Sequence, residues 1–128
     1  MRQFLCACSL GLALLAGCAS EVKRLPADLT SAVPDTGRRW VTTTALELLP
    51  TSGYRRTIAA GTEFVVVGRV AQGLVLKPTQ TVLTVEGAHM HEAYAVLHDG
   101  RFVGFYLPVE RAYTALSNPV PAALQESK

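Results

Sequence analysis

Asp99-Gly100 stands between two runs rich in β-branched and aromatic residues, 92–98 and Arg101–Leu107. A two-residue loop of this composition favours a type I′ turn, because both central residues need positive φ and Asp and Gly tolerate it. The dipeptide therefore predicts a β-hairpin with a defined register. His98 falls opposite Arg101, Leu97 opposite Phe102, Val96 opposite Val103, Ala95 opposite Gly104 and Tyr94 opposite Phe105. Both faces of such a hairpin carry apolar groups, which places it centrally in a sheet or curled inside a closed one.

The rest of the chain between residues 39 and 116 follows the same idiom, with short apolar runs separated by Gly and Pro. Strands are predicted at 40–48, at Glu63–Val70 with a bulge at Gly68, at 74–77 and at 81–85. Val109, Ala112, Tyr113 and Leu116 have helical spacing after Pro108, so residues 108–116 are expected to form one or two helical turns. Residues 117–128 are expected to be a disordered tail. With 128 residues in all, the chain suffices for one small domain.

The layout is similar to bacterial SH3-like domains. An opening strand ends at Leu46-Glu47-Leu48, a loop leads to Ile58-Ala59-Ala60-Gly61-Thr62, and Asp99-Gly100 turns into Val103-Gly104-Phe105-Tyr106-Leu107. The last segment resembles the closing Gly-Trp-Val strand of such domains, with Phe105 where Trp is usual. The resemblance implies an all-β, SH3-like barrel of five or six strands over residues 39–116. An OB-like barrel or an open β-sandwich would give the same string of strands. Closure into a barrel would remove exposed edges.

The first 17 residues have a different character. Arg2 supplies a positive start, and residues 4–16 form a 13-residue apolar run. As a helix it would be about 20 Å long, short of the roughly 30 Å of a hydrocarbon core. It reads as an export signal. Leu15-Ala16-Gly17-Cys18 follows directly and resembles the lipobox of bacterial lipoproteins, Leu-Ala/Ser-Gly/Ala-Cys. The resemblance implies cleavage between Gly17 and Cys18, with a diacylglycerol and an N-acyl chain on Cys18. Two or three chains give stable attachment where one gives marginal binding. Ala19 and Ser20 follow the cysteine instead of Asp, which implies outer-membrane sorting with the domain in the periplasm.

Residues 18–38 hold Pro26, Pro34 and scattered Ser, Thr and Asp, and are expected to form a lipidated, flexible tether. Twenty flexible residues span roughly 25 Å, enough to reach toward the cell wall. The alternative is that part of the segment packs as an extra edge strand.

Composition narrows the function classes. The three cysteines are Cys6, Cys8 and Cys18, so the processed domain has no disulfide and no thiolate metal site. Net charge is +2, and with Arg2 removed the balance is 11 basic against 10 acidic residues. That offers no footprint for nucleic acid. No cofactor beyond the lipid on Cys18 is expected.

Candidate chemistry is sparse. His89 and His91 are two apart, so on a strand they face the same way and can share a metal, with His98 or a carboxylate as third ligand. The simpler reading is a polar loop. Ser52 and Ser117 lie in turn-like settings with no catalytic motif, and Glu86 and Glu92 border turns. Tyr54, Arg55 and Arg56 combine an aromatic with two cations, a candidate binding surface for a peptide, a glycan or a protein. Arg38-Arg39 is a second basic pair. The sequence therefore points to a non-catalytic, membrane-anchored module that binds an envelope protein as an accessory subunit of a trans-envelope assembly, with peptidoglycan as the alternative ligand and a metal-binding protein or hydrolase centred on His89 and His91 ranked below both.

Overall fold

The computed structural model describes residues 21–51 and 53–127. They are all-β, and no helix occurs among the described residues. The strands are β1 (Leu25–Pro26), β2 (Arg39–Thr42), β3 (Leu46–Leu48), β4 (Arg56–Ile58), β5 (Glu63–Val70), β6 (Gly73–Pro78), β7 (Leu83–Glu86), β8 (Met90–His98), β9 (Arg101–Leu107), β10 (Ala112–Pro121) and β11 (Leu124–Ser127). The lipobox-like motif, Gly17 and Cys18 among its residues, lies outside the described residues, as does Ser52.

Asp99 and Gly100 both take positive φ, 50° and 74°, as a type I′ turn requires. The hairpin they close has the expected pairs His98 with Arg101 and Leu97 with Phe102. A bulge then shifts the register by one: Val96 faces Gly104, Ala95 faces Phe105 and Tyr94 faces Tyr106. The extra residue lets Phe102 and Phe105, three apart, enter one core cluster. In a regular strand they would point to opposite faces.

The main sheet runs β1-β10-β9-β8-β6-β5-β2-β11, with β7 on the first half of β8, and β3 and β4 form a separate pair. Both sheet faces are buried. Phe64, Val66, Leu76, Ala95, Phe102, Phe105 and Leu107 pack on one side under β3–β4, while Val70, Val75, Val96, Tyr106 and Tyr113 pack on the other with Ala27.

The sheet is strongly curled. Only Ala122 and Ala123 separate β10 from β11, a link of three Cα steps that reaches at most about 11 Å. The ladder path between those strands crosses six interstrand steps, about 29 Å if flat. The link crosses the open side of the roll: Ala122 N–H donates to Gly100 O, and Thr43 donates to Ala123 O through both N–H and Oγ1. Because these single bonds stand where a closing ladder would run, no ladder joins β10 to β2. The sheet is open, and the expected closed barrel is corrected to a curled open sheet.

Both flanks belong to the fold. Val22 is buried, β1 pairs with β10, and Thr30 exchanges backbone hydrogen bonds with Arg69 at 2.9 and 2.7 Å. Gly68 makes that approach possible, since a Cβ there would lie 2.4 Å from Thr30 O. The expected tether is therefore docked from Val22 onward. The expected tail is strand: β10 runs to Pro121 and β11 pairs with β2, setting Ser127 opposite Arg39. The folded unit thus extends beyond 39–116 on both sides.

The expected helical turn at 108–116 is also corrected. Residues 108–111 form a turn that ends at Arg111 with φ 52°, a conformation no α-helix contains. Beyond it Tyr113 and Leu116 enter different core clusters, so they do not share a single stripe. The predicted strand 40–48 divides into β2 and β3 at an exposed bend, Thr43 to Ala45.

Candidate functional site

His91 is the second residue of β8 and sits opposite Val85 of β7. Strand alternation leaves Met90 and Glu92 exposed and turns the His91 ring inward, where its side chain is 9% exposed. The β8–β9 register brings the 108–111 turn beside the start of β8. That places Glu110 Oε1 2.6 Å from His91 Nδ1. A carboxylate only accepts, so Nδ1 carries the proton and Nε2 is left as the other functional nitrogen.

Burial pushes the Glu110 carboxyl up, but the hydrogen bond from His91, a backbone hydrogen bond of its own and the nearby charges of His91 and Arg24 outweigh it. The carboxyl titrates below its ordinary value as a result. Its second oxygen, Oε2, is buried with no hydrogen-bond partner among the described residues. The pair borders a cleft of about 270 Å³ whose lining includes Glu21, Arg24, His89, Met90, His91 and Glu110.

A carboxylate-oriented imidazole can hold a proton or ligate a metal through its free nitrogen. Among the described residues the cleft lining contains no hydroxyl or thiol side chain. His89 shares this cleft. His98 does not, because seven residue steps of strand separate it from His91, about 23 Å. There its Nε2 lies 3.2 Å from Asp99 Oδ2 in an exposed pair. Among the described residues no group of three or more His, Cys, Asp or Glu is placed to hold a metal ion.

The Tyr54-Arg55-Arg56 surface divides in two. Arg56 is half-buried and bound within the fold: its guanidinium donates to Thr84 O at 2.8 Å and Thr84 Oγ1 at 2.9 Å, and pairs with Glu86 at 2.9 Å. It fastens β4 to β7. Tyr54 and Arg55 remain exposed, with Arg55 3.5 Å from Glu47. Arg38 is held by Asp35 and Glu126 and lies over the Trp40 ring, while Arg39 pairs with Glu63.

A second recess is apolar. Trp40, Leu97, Gly100, Ala122, Ala123 and Leu124 line a groove of about 390 Å³ beside β11, the last strand of the sheet path. Its residues come from β2, β8, the β8–β9 turn, the C-terminal link and β11, so no local run of sequence announces it. Glu110 was equally hidden, because the helical spacing of 108–116 masked the turn that carries it. The chain matches no protein-family model, no curated protein and no solved structure.

Proposed function

We propose that this chain is a bacterial envelope lipoprotein whose β-domain binds another protein at the membrane surface. In this reading the export signal is removed between Gly17 and Cys18. Cys18 carries diacylglycerol and an N-acyl chain, and the domain faces the periplasm from the outer membrane. The likeness to SH3-like domains belongs to the same reading and is supported by the curl of the sheet.

The observation that carries it is the docking of the chain immediately after the lipobox-like motif. Val22 is buried in the core and β1 pairs with β10. Three residue steps separate Cys18 from Glu21, at most about 11 Å of extended backbone. A lipid on Cys18 therefore holds the domain against the bilayer, where a flexible spacer would have let it reach the wall. This favours a protein partner at the membrane over peptidoglycan. The apolar groove beside β11 supports the binding half of the reading: an extended segment can add to a sheet edge while its side chains fill an adjoining recess.

Photo-crosslinking from position 124 of the full chain in cells tests this, with position 101 as the control. A discrete protein adduct from 124, weakened by Leu97→Asp, is the expected result. Repeated recovery of the lipoprotein alone overturns the reading. Adducts to muropeptides would reassign the ligand to peptidoglycan.

A further inference from the structure

Resting on that anchored reading, we propose that the end of the domain bearing the His91–Glu110 cleft is a docking face for the glycerophospholipid bilayer itself, with Met90 and Val109 as its inserting side chains.

Met90 is 64% exposed and Val109 is 78% exposed. Both sit where β8 begins and β9 hands over to β10, one on each side of the His91–Glu110 pair. Each is the chain neighbour of one member of that hydrogen-bonded pair, which brings both exposed apolar side chains to one end of the domain. Glu21 and Arg24 line the same cleft as Met90, so the chain leaves the folded domain toward Cys18 at this end. The acyl chains of Cys18 therefore enter the bilayer within about 11 Å of Glu21.

The charges fit a headgroup layer. Arg24 and Arg111 are exposed at this end and can meet lipid phosphates; the Glu110 carboxylate is turned inward onto His91, and the exposed Glu21 in the same cleft is the opposing charge. The Asp99-Gly100 turn lies at the opposite end of β8, about 26 Å from Met90 along the strand. One end of the domain thus faces lipid, and the groove beside Gly100 faces away from it.

The test uses the full-length, processed protein in vesicles of phosphatidylethanolamine and phosphatidylglycerol. Single Ala88→Cys and Arg101→Cys variants carry a fluorophore; Cys18, when acylated, does not react. Nitroxide lipids should quench the label at 88 roughly threefold more than that at 101, as interfacial burial of about 5–10 Å requires. Adding Met90→Glu and Val109→Glu should remove the difference while leaving thermal unfolding unchanged. Equal quenching at both sites, with Cys18 acylated by mass spectrometry, overturns the docking face and leaves the anchor standing. An unmodified Cys18 thiol overturns the anchor, and the docking face with it.

Discussion

His91 Nδ1 lies 2.6 Å from Glu110 Oε1, joining the start of β8 to the turn that precedes β10. The Glu110 carboxyl titrates below its ordinary 4.5. A depressed carboxyl stabilises the fold fully above its unfolded value and loses that contribution as pH falls through the lower, folded value. Glu110→Gln keeps an acceptor for His91 Nδ1–H but loses its charge, and should therefore cost about 1 kcal/mol at pH 7, the difference between a charge-assisted and a neutral hydrogen bond. The gap to the parent should narrow as pH falls below 4.5. Urea unfolding at pH 7 and at stepped acid pH values measures both; a gap that widens in acid would contradict the assignment.

Neighbouring arginines should behave very differently. Arg56 makes two hydrogen bonds to Thr84 and an ion pair with Glu86. Arg56→Lys cannot reproduce that fork and should destabilise by about 1–3 kcal/mol. Arg55 is exposed, and Arg55→Ala should change stability by less than about 0.5 kcal/mol. Equal losses in thermal unfolding would show that Arg56 is not the clamp between β4 and β7.

Tyr113 lies across Gly104. A Cβ at 104 would meet the tyrosine ring at 2.5 Å and Thr114 O at 2.4 Å. Gly104→Ala should cost about 1–3 kcal/mol through overpacking. Tyr113→Phe keeps the ring and loses only the hydrogen bond to Val103 O at 3.0 Å, a loss of about 1 kcal/mol. Comparing both in one denaturant series separates packing from hydrogen bonding.

Gly100 isolates the backbone contribution. Its φ is +74°, and a Cβ there would meet nothing within 4 Å. Gly100→Ala should therefore cost about 1–2 kcal/mol from the left-handed conformation alone. A calorimetric loss well above that range would mean that the turn is packed against something else.

That turn was legible because its signal is local: two residues with a shared φ requirement. The limits of β5 and β9 were legible for the same reason, and the bulge expected at Gly68 falls one residue earlier, at Val67. The register beyond Leu97 was not, because the bulge answers a demand from across the core, where Phe102 and Phe105 must share one cluster. β11 was hidden by its exposed Gln125 and Glu126, which look like a tail until β2 supplies the pairing. Within the site, His91 stood out by residue type. Glu110 did not, because only the folded hairpin brings it to the ring. Val22 and Ala27 carried no periodicity that could separate docked chain from spacer.

The pairing of β11 with β2 also sets an order of events. Ser127 meets Arg39 across 88 positions, and Leu124 meets Thr42 across 82. Contacts at such separation form late, because the intervening loop must be closed before they reward it. A chain made from its N-terminus thus lacks the final ladder of its roll until residues 124–127 are free to pair with β2.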